Sequence, residues 1–122
     1  MWEIMGEVAE HYLGLARKYL KESEVFMGKG DYVQASEKLW GAAAEMVKAV
    51  AAKRGVELKT HGDLWGFVRE LRNELKDPEL SRLFLQANYL HQNLYEGVLP
   101  AEAVTDGAGA VKQFVDKLEG FL

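Results

Sequence analysis

Apolar side chains recur every three or four residues along this chain, in five runs separated by glycines, prolines and acidic or hydroxyl caps. An α-helix turns once in 3.6 residues, so this spacing gathers the apolar residues of each run on one face that has to be buried against other helices. The first run covers residues 3–27 and carries Met5, Val8, Tyr12, Leu15, Ala16, Tyr19 and Phe26, with Ser23 where a hydrophobe is expected. Gly28 and Gly30 follow as its stop. Asp31 caps the second run, with Gln34 three residues on to complete a capping box. That run passes through Tyr32, Val33, Ser36, Leu39, Trp40, Ala43, Val47, Val50 and Ala51 to about Arg54. Lys53 and Arg54 complement the helix dipole in the last turn, and Gly55 ends it. Within it, Gly41 to Glu45 (GAAAE) offers small side chains on nearly every side, which predicts close helix approach.

Thr60 opens the third run, with Asp63 in the reciprocal capping position and Leu64, Trp65, Val68, Leu71 and Leu75 as its stripe. Asp77 and Pro78 mark the fourth as cap and first-turn proline. Leu80, Leu83, Phe84, Ala87, Leu90, His91 and Leu94 follow, up to Gly97. Pro100 starts the fifth, carried by Val104, Ala108, Val111, Val115 and Leu118. Gly107 and Gly109 each cost about 1 kcal/mol against alanine inside a helix, which predicts an irregular first half. No stretch alternates with period two, so no strand competes. Short connections between long helices make sequence neighbours antiparallel. The expectation is an all-α fold, an up-and-down antiparallel bundle of about five helices, in a single domain spanning residues 1–122.

Several function classes drop away. With no cysteine there are no disulfides and no thiolate metal sites. The balance of 15 basic and 19 acidic residues gives a net charge of −4, which disfavours steering of the whole molecule toward nucleic acid. No charge-free run of about 20 apolar residues is present, so no membrane contact is expected. The opening MWEIMGEVAEHY carries acids and no continuous apolar run, unlike a signal peptide, and a cytoplasmic location is expected. The three histidines are not spaced as metal ligands, and no Glu-x-x-His pairing occurs on two helices. No metal and no cofactor are expected.

The histidines are therefore the residues to weigh. His11, beside Tyr12 and off the main stripe, reads as a surface residue. His61, at the first turn of the third helix, sits where unpaired backbone donors favour anions; it is a binding candidate beside a structural default. His91 stands inside an apolar stripe, so its ring nitrogens need partners. Asn88, three residues back, and Tyr95, four residues on, reach the same helix face. A satisfied core histidine is favoured over a general acid–base, and His91, Asn88 and Tyr95 remain the catalytic candidates. Asn93 and Glu96 join His61 as binding candidates. Glu22, Glu24, Glu37, Glu45, Glu70, Glu74, Glu79 and Glu96 read as solvated faces and ion pairs. The cations from Lys48 to Arg82 interleave with acids and read as a mixed surface first.

Three segments, EKLWGAAA (Glu37 to Ala44), THGDLW (Thr60 to Trp65) and LHQNLYEG (Leu90 to Gly97), resemble the archaeal PaREP family. The resemblance spans roughly residues 30–105. It implies a branch of the wider HEPN-like helical bundles, which commonly homodimerise and include ribonuclease toxins and modules paired with nucleotidyltransferases, so a toxin–antitoxin association is a further expectation. The HEPN nuclease motif is an arginine, then four to six intervening residues, then a histidine. Against His91 that arginine would fall at 84, 85 or 86, where this chain has Phe84, Leu85 and Gln86. Together with the aromatic helices bearing Trp2, Trp40 and Trp65, this favours a non-enzymatic interaction module: a homodimer engaging a protein or RNA partner. The alternative is a metal-independent ribonuclease toxin using His91.

Overall fold

The helices begin and end where local hydrogen bonding dictates. The computed structural model describes residues 2–122, except the side chains of residues 2, 3, 94 and 95. The expectations attached to the side chains of Trp2, Leu94 and Tyr95 lie outside the described residues. α1 (Trp2–Gly28) closes at Gly30, whose φ of 77° is left-handed. There the Asp31 N–H donates to Phe26 O (2.9 Å) and the Gly30 N–H to Met27 O (3.0 Å), a Schellman turn. The Asp31 carboxylate then accepts the Gln34 N–H at 3.1 Å to start α2 (Tyr32–Lys53). The reciprocal half of the expected capping box is not used, because the Asp31 N–H is already committed to α1.

α2 ends in the same manner at Gly55 (φ 74°), with the Val56 N–H on Ala51 O. Thr60 and Asp63 form the full capping box of α3 (His61–Leu75). That helix stops at Lys76, held left-handed at φ 55° without being glycine. Asp77 Oδ1 accepts the Glu79 N–H at 3.0 Å, and Pro78 has first-turn geometry ahead of α4 (Glu79–Glu96). Gly97 (φ 59°) closes α4, and α5 (Ala101–Glu119) follows Pro100.

α5 is unbroken, contrary to the irregular first half expected from its glycines. Gly107 is buried where α4 crosses: a Cβ added there would lie 2.8 Å from Leu90 Cδ2. The missing side chain lets Leu90, 2% exposed, pack against bare backbone. That packing offsets the helix cost of the glycine. Ser23, the gap in the first apolar stripe, is buried with its hydroxyl donating to Leu20 O at 2.6 Å.

α2 is the axis of a five-helix, all-α bundle: 13 of its 22 residues are buried, and it touches every other helix. Leu39, Met46, Val47 and Val50 are fully enclosed, each contributing about 1.5–3 kcal/mol by leaving water. The small GAAAE segment does allow close approach, with the Tyr19 ring against the bare Cα of Gly41. α1 and α2 run antiparallel, with Glu22 beside Lys38, Tyr19 against Gly41, Lys48 over Tyr12 and Met5 near Gly55. α4 opposes α2 (Asn93 at Ser36, Phe84 at Trp40) and α5 opposes α4 (Leu90 at Gly107, Phe84 at Phe114).

One connection departs from the up-and-down order. Residues 54–60 double back along α2, so that His61 at the start of α3 meets Trp40, while Glu74 near its end pairs with Arg54 at 2.8 Å. α3 therefore runs parallel to α2. Arg54 and Glu74 stabilise each other's charge: their hydrogen bond raises the guanidinium pKa and holds the carboxyl below the ordinary range.

Candidate functional site

The doubling back of residues 54–60 brings the start of α3 to the middle of α2, and α4 passes both on its way to Gly97. Three helices thus each deliver side chains to one place. From α2 come Glu37 and Trp40, one turn apart. From α3 comes His61, in the first turn after Thr60. From α4 comes His91.

His91 Nδ1 lies 3.0 Å from Glu37 Oε2. The imidazole stacks on the Trp40 indole, with ring centres 5.1 Å apart and planes inclined by 28°. His61 meets Trp40 edge-on at 5.2 Å and His91 edge-on at 5.4 Å, closing a triangle of rings. Trp40 is nearly buried, the His91 side chain is 19% exposed, and His61 is open to solvent. Beneath them Trp40 rests on Phe84, which also contacts Trp65 at 4.7 Å and Phe114 at 5.4 Å. The seam of rings runs from the surface into the core.

Two local devices hold this arrangement. The Asp63 carboxylate accepts the N–H groups of Lys59 (2.9 Å) and Thr60 (3.1 Å), fixing the turn before His61. Those bonds, the one from Lys59 foremost, hold the carboxyl below the ordinary aspartate range. On α4, Asn93 is 2% exposed and closes the helix end. Its Nδ2 donates to Ser36 Oγ at 3.0 Å and its Oδ1 accepts the Leu99 N–H at 2.9 Å. Its backbone carbonyl takes the Gly97 N–H at 2.8 Å. Ser36 in turn donates to Tyr32 O, so α2 and α4 share one chain of hydrogen bonds beneath the histidines.

The chemistry follows from these contacts. A neutral His91 donating from Nδ1 to Glu37 has Nε2 as its basic nitrogen, and a protonated His91 forms an ion pair with Glu37. His61 stands where the first N–H groups of α3 lack helical partners, a setting that favours anions. Among the described residues no group of three His, Asp or Glu side chains is placed to hold a metal ion.

The candidates taken from the sequence separate clearly. His61 and His91 come together. Asn93 is an internal clasp, Asn88 is half-buried, Glu96 is exposed in the last turn of α4, and the Tyr95 side chain lies outside the described residues. His11 is exposed on α1 and contacts only the ring of its neighbour Tyr12 among the aromatic residues described. Of the positions where the nuclease motif would need arginine, Phe84 is fully buried in the aromatic seam. Arg82 instead pairs with Glu79 at the exposed start of α4. Glu37, read from sequence as a solvated acid, is the partner of His91. Its position three residues before Trp40, on the α2 face turned to α4, was the available signal.

Residues 11–115 match the model of the archaeal PaREP1/PaREP8 family. The chain belongs to that family. The PaREP segments EKLWGAAA, THGDLW and LHQNLYEG supply Glu37 and Trp40, His61, and His91 in turn, so the stretches that carry the resemblance meet in the ring cluster. The PaREP chain is also similar to a crystal structure of a Sulfolobus solfataricus protein, with 26% identity and a TM-score of 0.77. That match covers 88% of this chain and 95% of the other. No curated protein matches the chain. No helix among the described residues is long and apolar enough to cross a membrane.

Proposed function

We propose that the protein is a helical interaction module, homodimeric in solution, that receives an anionic group of a protein or RNA partner at the Glu37–Trp40–His61–His91 cluster. The observation that carries this is the meeting of all three resemblance segments in one partly open cluster, two imidazoles deep. His61 is the ligand-facing member, exposed and beside the N-terminal donors of α3. His91 is the positioning member, held by Glu37 and stacked on Trp40. Imidazole NMR signals followed during titration with a ten-nucleotide RNA and with an acidic peptide test the reading. His61 signals are expected to move with one probe, and the response to vanish in His61→Ala. Unmoved signals with both probes overturn it. Sedimentation as a strict monomer over a wide concentration range removes the dimer.

A second reading, a metal-independent ribonuclease of toxin–antitoxin type, is favoured by one feature: a second imidazole 5.4 Å from a carboxylate-paired His91. Two imidazoles can divide the roles of general base and general acid. RNA cleavage, or growth arrest on expression, that is lost in His91→Ala supports it; identical behaviour of the two proteins removes it.

A further inference from the structure

The basic residues of this acidic protein are not treated alike. Lys38 and Lys48 on α2, Arg82 on α4, and Lys112 and Lys117 on α5 each sit on a carboxylate. Lys18, Lys21 and Lys29 in and after α1, and Lys59, Arg69, Arg72 and Lys76 on and around α3, have no carboxylate within ion-pairing distance among the described residues; of the arginines, only Arg69 and Arg72 lack one. Arg72 has only a 3.4 Å contact to Asn73 Oδ1. Acids outnumber bases here, so unpaired guanidinium groups on one helix mark a surface whose counter-charge comes from outside the fold.

Arg69 and Arg72 line an open surface groove of about 410 Å³ between α3 and α4, together with Gly62, Trp65, Gly66 and Ser81. That volume lies within the range of small-molecule sites. The arginines are three residues apart, hence neighbours on the helix surface with Cβ atoms about 5–6 Å apart. Their planar forks match phosphate oxygens two at a time. Trp65 is half-buried, its indole fixed edge-to-face by Phe84 at 4.7 Å. A fixed, partly open indole is a platform on which a nucleobase stacks. Gly66 leaves the groove floor bare: a Cβ added there meets nothing within 4 Å.

We propose that this groove binds a nucleoside phosphate, with its phosphates on Arg69 and Arg72 and its base against Trp65. The groove adjoins the histidine cluster but shares none of its four residues, and the assignment stands whether or not that cluster binds a partner. The same chemistry is offered by a free nucleotide and by a nucleotide within a single strand. Anisotropy of fluorescein-labelled ATP and of a labelled ten-nucleotide RNA on the full chain distinguishes them. RNA binding at least tenfold tighter than ATP identifies the strand; equal or tighter binding of ATP identifies the free nucleotide. In either case Arg69→Glu with Arg72→Glu is expected to weaken binding at least tenfold. Gly66→Leu is expected to weaken it comparably while the melting temperature holds or rises, since a Cβ there meets nothing within 4 Å and leucine favours the helix over glycine. Absence of binding by both probes overturns the proposal, as does wild-type affinity in these variants. Displacement of the probe by polyglutamate as readily as by ATP also overturns it, by showing a site that reads charge alone.

Discussion

Replacing Asn93 with alanine isolates the clasp beneath the ring cluster. Its side chain makes two bonds of different consequence. The Leu99 N–H, donating to Oδ1 at 2.9 Å, loses its acceptor, and a donor stranded in a partly buried setting costs about 1–3 kcal/mol. Ser36 loses less: its hydroxyl still donates to Tyr32 O, so only the net worth of one bond goes, about 0.5–1.5 kcal/mol. The sum is a loss of about 1.5–4.5 kcal/mol. Unfolding entropy near 2.1 cal/mol/K per residue over 122 residues converts each kcal/mol to about 4 °C, so the melting temperature is expected to fall by about 6–18 °C. Calorimetry measures the shift, and Ser36→Ala alone and combined with Asn93→Ala measures the coupling, expected at about 0.5–1.5 kcal/mol. A fall under about 4 °C, or additive single effects, refutes the claim that this amide ties α2 to the end of α4.

Lys76 holds a left-handed backbone that costs an L-residue roughly 1–2 kcal/mol, so Lys76→Gly is expected to raise stability by about 1 kcal/mol after the glycine's extra unfolded freedom is counted. Urea titration reads that gain, and a loss would mean the lysine side chain has a stabilising role of its own. The Lys117 ammonium, donating to Asp77 at 2.7 Å, holds the Asp77 carboxyl below its ordinary range. A depressed folded pKa means the unfolded chain takes up the proton first, so this contribution is full above the unfolded value of about 3.9 and disappears as pH falls through the lower folded value. Asp77→Asn is therefore expected to be less stable than wild type at pH 6, with the gap closing toward pH 2; a gap independent of pH contradicts the assignment.

Much of the fold was legible because its signals are local. Helix periodicity depends on the residues of one segment, and the caps at Thr60, Asp77, Gly55 and Gly97 act within a few residues of themselves. Tertiary contact supplied what those signals could not. Gly107 looked like a helix breaker until Leu90 was found lying on it. Asp31 looked like half of a capping box until its N–H proved to belong to the preceding helix. The same division applies to the site. His61 and His91 each drew notice from their own surroundings, but their meeting depends on the path of residues 54–60, which no periodicity reports. Glu37 lies 54 positions from His91, and partners sought on the histidine's own helix could not include it.

That backward path also limits the molecule. From Arg54 to the level of Trp40 is fourteen residues of helix, about 21 Å at 1.5 Å per residue. Seven residues of chain reach at most about 23–25 Å when stretched. The strap between α2 and α3 thus has almost no slack, and losing two of its residues would leave His61 short of its place. Added residues would only bow outward. The length of an unassuming connector, as much as any side chain in the cluster, decides whether the two imidazoles meet.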